Sequence, residues 1–140
     1  MTIRRVTEMV RDQRPLKLPH HATVCEACRH MHARRVGAVL VTDENGRLAG
    51  ILTGRDVVGR VVAEGRDPAA TTLAMVMTPA PTTMRPRHTA VDALRVMQDG
   101  GFRHVPIVEE GRIVGIVSRG DFLAPELARL DEETGLWERL

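Results

Sequence analysis

Apolar and polar positions along the chain fall into one pattern, and that pattern occurs twice. Leu16 to Leu18 predicts a short strand, and Thr23-x-x-Glu26 has the form of a capping box at a helix start. The helix that follows places Ala27, Cys28 and Met31 on one face. Val36 to Val41 reads as a mostly apolar strand, and Leu48 to Leu52 as its return partner. A second helix opens near Gly54 and carries Val57, Val58, Val61 and Val62. The second half repeats the order: Thr82 to Met84, then Thr89-x-x-Asp92, then a helix with Ala93, Leu94 and Met97 inward. His104 to Val108 and Ile113 to Val117 supply the two strands, and the last helix opens near Arg119. The predicted order is β-α-β-β-α, twice.

Sliding the chain by 66 places Met9-Val10 on Met75-Val76, Pro15 on Pro81, Thr23 on Thr89 and Met31 on Met97. After Glu44 and Glu110 the offset drops to 65, pairing Gly50-Ile51 with Gly115-Ile116 and Asp56 with Asp121. The indel falls at Asn45-Gly46, a hairpin-tip sequence, so it shifts no buried residue. The predicted organisation is a first repeat with an N-terminal helix over 1–65 and a linker with entry helix over 66–78. A second repeat then covers 79–125, and a C-terminal tail 126–140. Ile3, Val6, Met9 and Val10 have helical spacing and predict a segment that covers an edge. In the acidic tail, Leu136 and Trp137 predict docking on some surface. A repeat of about 50 residues cannot hide one face of its sheet alone, so the two copies are expected to pack on each other.

Composition narrows the function. Phe102, Phe122 and Trp137 are the only aromatic residues, too few for a platform that stacks successive bases. The net charge is +2, with a mild basic lean in the first half, and no nucleic-acid partner is predicted. No apolar run approaches the roughly 18 residues of a membrane span, so no membrane partner is predicted. Met1 to Arg5 lacks the apolar core of an export signal, and with two cysteines this points to a reducing, cytoplasmic setting.

Candidate chemistry centres on the junction from second strand to second helix. It reads Gly50-Ile51-Leu52-Thr53-Gly54-Arg55-Asp56, and again Gly115-Ile116-Val117-Ser118-Arg119-Gly120-Asp121. A hydroxyl three residues before an acid at a helix start has two readings. It is a cap, or it is an anion and ribose site in which helix N–H groups meet phosphate and the acid accepts both ribose hydroxyls.

This pattern, with Val105-Pro106 ending an apolar strand before the turn, resembles the cystathionine-β-synthase (CBS) domain, over roughly 9–65 and 75–125. The first copy departs from it, with Leu40 where proline is usual. The resemblance implies an α/β fold of tandem β-α-β-β-α repeats packed about a pseudo-twofold axis. It also implies an adenine nucleotide (AMP, ATP or NAD-like) held in clefts between the repeats as a regulatory ligand. By position, one cleft would use Thr53 and Asp56 with Thr82, Arg103 and His104. The other would use Ser118 and Asp121, beside Ile116, with Leu16, Gly37 and Ala38. The implied protein is a homodimeric regulatory module that reports occupancy to a regulated protein, and not an enzyme.

Two alternatives stand beside it. One is a ligand-free oligomerisation or docking module. The other is a zinc- or redox-responsive protein using Cys25 and Cys28, near His20, His21, His30 and His32. The repeat maps Cys25 onto Val91 and Cys28 onto Leu94, which favours a core role for both thiols and no metal site. Enzymatic readings find little support, because the chain has neither a nucleophile elbow nor a Gly-rich phosphate loop.

Overall fold

The computed structural model describes residues 3–138, with side chains as far as 132. It is a mixed α/β protein divided into two compact units, each of them discontinuous in sequence. One unit contains 14–81 and the hairpin tip 111–113; the other contains 3–13, 82–110 and 114–138.

The first unit is built on β1 (Lys17–Pro19), α2 (Val24–Arg34), β2 (Ala38–Thr42), β3 (Leu48–Thr53), α4 (Leu73–Val76) and β4 (Thr78–Pro79). Its sheet runs β1-β2-β3-β4, with β1 parallel to β2 and the other pairs antiparallel. Helix α2 starts where the Thr23 hydroxyl accepts the Glu26 N–H at 3.1 Å, and it stops at Arg35, whose φ of 55° no helix tolerates. The carboxylate of Glu26 makes no reciprocal bond, so the predicted box is half formed. Its apolar face, Val24, Ala27 and Met31, packs with Leu16, Val39, Val41, Leu52, Val61, Leu73 and Val76 in one core. Gly54–Asp56 forms a single α-turn, α3, and 57–62 continues it as a π-helical turn.

The second unit carries α1 (Val6–Met9), α5 (Ala90–Gly100), β5 (His104–Glu109), β6 (Arg112–Ser118) and α6 (Ala124–Glu138). Here the capping box at α5 is complete: Thr89 Oγ1 accepts the Asp92 N–H at 3.1 Å, and Asp92 Oδ2 accepts the Thr89 N–H at 3.0 Å. Among the described residues only β5 and β6 form a sheet here, and the expected strand over Thr82 to Met84 shrinks to one parallel bridge, Met84 to Ile107. Proline explains the loss. In the first unit the Leu40 N–H donates to Leu16 C=O at 2.9 Å, whereas its counterpart Pro106 has no N–H to offer Thr82.

The units are not the sequence repeats, because each is closed by the segment that precedes the other repeat. Residues 3–13, expected to belong with the first repeat, pack on the second: Val6 and Val10 join Ala90, Leu94, Met97 and Val117 in its core. Residues 73–79, expected as linker and the start of the second repeat, pack on the first. Equivalent hydrogen bonds fix the correspondence. Val6 N–H donates to His88 C=O as Leu73 N–H does to Ala22 C=O, and Thr7 donates to Pro86 as Ala74 does to His20. The structural offset here is therefore 67, and the alignment of Met9-Val10 on Met75-Val76 is corrected by one residue. Apolar spacing alone does not register a segment this short.

One side chain stands in for a missing strand. In the first unit β4 pairs with β3 at Ile51. At the equivalent Ile116 the Gln13 amide takes that place, accepting the Ile116 N–H at 2.6 Å and donating to its C=O at 2.9 Å.

The last helix also departs from expectation. At Arg119–Asp121 the chain makes one 3₁₀ turn, passes through Phe122 in extended conformation, and restarts as α6 at Ala124. Pro125 accounts for the break, since it offers no N–H to Asp121 C=O and its ring crowds that oxygen. In the first unit the same position is Arg60, and the turn runs on. The predicted docking of Leu136 and Trp137 lies outside the described side chains.

Candidate functional site

Both junctions are built the same way from the end of a strand. Thr53 ends β3, its hydroxyl accepting the Asp56 N–H at 3.2 Å while Asp56 Oδ2 accepts the Thr53 N–H at 2.9 Å. Asp121 Oδ2 accepts the Ser118 N–H at 2.7 Å. The reciprocal cap holds each carboxylate at the mouth of its turn and commits one oxygen. The other oxygen of Asp56 faces Arg60 Nε at 3.8 Å, and no further hydrogen bond to Asp121 Oδ1 occurs among the described residues. A carboxylate held this way keeps lone pairs for outside donors such as the hydroxyls of a diol.

Within each unit the residues nearest the junction are fixed by backbone bonds. Gly54 N–H donates to Gly37 C=O at 3.0 Å, and Ala38 is the register partner of Thr53. Leu16 is buried in the same core, its carbonyl tied to β2. The matching bond in the second unit runs from Arg119 N–H to Arg103 C=O at 2.9 Å. It brings Arg103 and His104, at the start of β5, to the end of the hairpin that carries Ile116, Ser118 and Asp121. The sequence grouped Arg103 and His104 with Thr53, and Gly37 and Ala38 with Ser118. Within a unit, backbone bonding sets each pair beside that unit's own junction, because a hairpin returns to where it began. Exposed Arg103 and half-buried Arg119 thus belong to the Asp121 junction, while small Gly37 and Ala38 flank Asp56. Thr82 is exposed, two residues before the Met84 bridge.

The glycine that opens each junction motif has a packing cause. A Cβ on Gly50 would lie 2.8 Å from Thr78 C=O and closer still to the Met77 side chain. One on Gly115 would lie 2.7 Å from Val10 Cβ and 2.5 Å from Gln13 Oε1. In both units the closing segment crosses the strand at its glycine.

No cluster of three or more His, Cys, Asp or Glu side chains suited to a metal occurs among the described residues. Cys25 and Cys28 are reduced and half-buried, and Cys28 packs against the core of the first unit. Burial, reinforced by Cys25, pushes the Cys28 thiol up, away from the reactive thiolate. No described helix is long and apolar enough to cross a membrane.

A family model for the CBS domain matches residues 4–63 and again 73–125. The chain belongs to the CBS-domain family. A CBS domain-containing protein of Arabidopsis thaliana is 38% identical over 128 residues, covering 91% of this chain and 23% of the relative. The CBS chain thus spans about a quarter of the length of the Arabidopsis relatives it matches. Among solved structures, a CBS domain protein from Pyrobaculum aerophilum complexed with AMP has a TM-score of 0.81 at 27% identity, over 91% of this chain and 98% of that one. Hypoxic response protein I, solved with two coordinated zinc ions, has a TM-score of 0.72 at 27% identity, over 89% of this chain and 97% of that one. The CBS match begins at residue 4, so it takes in the closing segment that the sequence repeat alone did not place.

Proposed function

We propose that this CBS pair is a regulatory module that binds an adenine nucleotide and transmits its occupancy to a partner protein. Asp56 and Asp121 accept the ribose hydroxyls, Thr53 and Ser118 lie beside ribose or phosphate, and the backbone near Leu16 and Thr82 borders the base. The observation that carries the reading is the doubled Thr/Ser-x-x-Asp junction, each carboxylate pinned by its cap and left with lone pairs for a diol. The AMP bound by the Pyrobaculum relative supports the choice of ligand class. Arg55 and Arg60 stand at the Asp56 junction and Arg103 and Arg119 at the Asp121 junction, so both take a phosphate-bearing ligand and both weaken as salt rises. No catalytic role is assigned to either junction.

Isothermal calorimetry with AMP and ATP tests this. Asp56→Ala or Asp121→Ala should weaken binding at its own junction by roughly ten- to several-hundredfold, the loss of one or two charge-assisted bonds. No binding at millimolar nucleotide, or equal affinity in both variants and the parent, would sink the sensor reading.

An oligomerisation role is favoured by one further observation. Val58, Val62 and Met75 are 64%, 66% and 56% exposed in the first unit, and Val58 and Val62 lie one turn apart. A homodimer that covers them is part of the proposal. Val62→Glu should shift the sedimentation coefficient toward the monomer, and an unchanged value would remove this face from the interface.

A further inference from the structure

The Pro125 break leaves the Asp121 carbonyl without a helical donor, and a residue far away in sequence supplies one. Arg4 Nη2 donates to Asp121 C=O at 2.9 Å. The same guanidinium grips Glu126 in a two-pronged pair, Nη2 to Oε1 at 2.8 Å and Nε to Oε2 at 3.1 Å. Glu126 Oε1 also accepts the Leu123 N–H at 2.8 Å, so one carboxylate holds both the start of α6 and the arginine. Glu126 is buried, and at the same position the first unit has the buried apolar Val61. The second unit has therefore placed an ion pair where its sister has hydrocarbon. Burial alone raises the Glu126 carboxyl, but the Arg4 and Leu123 hydrogen bonds and the Arg4 charge outweigh it and hold it low. Arg4 is raised in turn, chiefly by its hydrogen bond to Glu126.

We infer that Arg4, held by Glu126, is a positioning residue for the Asp121 junction: it fixes the backbone that aims the Asp121 carboxylate, so ligand affinity there depends on the closing segment 3–13. This deepens the nucleotide reading and rests on it. The first unit is tied in the opposite sense. There Arg60, which stands where Pro125 stands, reaches out from the junction turn to the carbonyls of Val76 and Met77, both at 3.1 Å. Segment 3–13 thus tunes one junction and leaves the other alone.

The test uses the full chain and the pair Arg4→Met with Glu126→Gln, which removes both charges together and keeps an acceptor for the Leu123 N–H. Breaking only one partner would strand a buried charge and unfold the region for an unrelated reason. In an Asp56→Ala background, where only the Asp121 junction binds, the double change should weaken AMP by about three- to tenfold at a temperature where the chain is still fully folded. In an Asp121→Ala background it should leave AMP affinity unchanged. Hydrogen exchange without ligand adds an independent readout. The Ser118 amide, bonded to Asp121 Oδ2, should exchange faster in the double variant while the Thr53 amide does not. Equal loss of affinity in both backgrounds, affinity that follows melting temperature, or unchanged Ser118 exchange would overturn the inference. Faster Ser118 exchange in a chain that binds no AMP would instead sustain the clamp and remove the nucleotide reading.

Discussion

Gly50→Ala adds one methyl group to β3 at the point where the closing segment of the first unit crosses it. Its φ is not of the left-handed kind, so the backbone itself tolerates alanine and only space is at stake. The added carbon would clash with Met77 Sδ and would meet Met77 Cγ and Thr78 C=O each at 2.8 Å. The methionine chain can swing away. The carbonyl cannot, because Thr78 is paired with Ile51, and retreating by the needed half ångström or more breaks that pairing. Overpacking of this kind costs about 1–3 kcal/mol. Gly59→Ala is the matched control: nothing lies within 4 Å of its Cβ position, and alanine there restricts the unfolded chain, for a gain of about 0.4–1 kcal/mol. Urea unfolding of the two variants should therefore move the midpoint in opposite directions. Hydrogen exchange in Gly50→Ala should quicken first at residues 77–79. A Gly50→Ala midpoint equal to the parent's, or a Gly59→Ala loss of similar size, would refute the idea that the motif glycine exists to admit the closing segment.

Gln13→Ala removes both bonds to the Ile116 backbone and should cost about 1–3 kcal/mol, at about 1 kcal/mol per neutral bond. Gln13→Glu, which cannot donate to Ile116 C=O at neutral pH, should not rescue it in chemical denaturation. Acid should weaken the second unit through two carboxylates. Asp92 is held low by the Thr89 N–H first, then by the Thr89 hydroxyl and Arg95, while at Glu126 the Arg4 and Leu123 bonds outweigh burial. A carboxylate lower in the folded than in the unfolded chain adds stability above its unfolded value, and that stability goes as pH falls through the folded one. Stability should thus decline below about pH 4, the ordinary carboxylate range. Asp92→Asn should flatten the decline while lowering the plateau at neutral pH, and an unchanged slope in pH-dependent urea melts would contradict the assignment.

What the sequence revealed was whatever is local. The strand-to-helix junctions, the hairpin tips and the α5 capping box depend on residues within a few positions of one another, and Thr53, Asp56, Ser118 and Asp121 stand where that grammar put them. Partnership across the chain was not legible. Val6 and Val10 have the same apolar spacing whichever repeat they cover, so nothing local reveals that Ala90 and Leu94 receive them. Two signals were available and unread. Pro125 four residues after Asp121 forecasts a broken helix and an orphan carbonyl. Glu126 at a position that is Val61 in the other repeat forecasts a buried charge in need of a cation, and Arg4 is that cation.

Closing each unit with a segment from outside its own repeat imposes an order on biosynthesis. The strands β1 to β4 are all out once residue 79 has been made, so the first unit can gather its sheet early. The second unit has a longer wait. Val6 and Val10 are made long before Phe122 and Leu130, which share the core they complete. At roughly 5–20 residues per second the interval is on the order of 6–24 s. For that time a short apolar segment travels unburied, its eventual partners not yet translated. The second unit therefore matures last, and a nascent chain stalled between the two repeats would carry a finished sheet and, in segment 3–13, apolar side chains still exposed to the solvent.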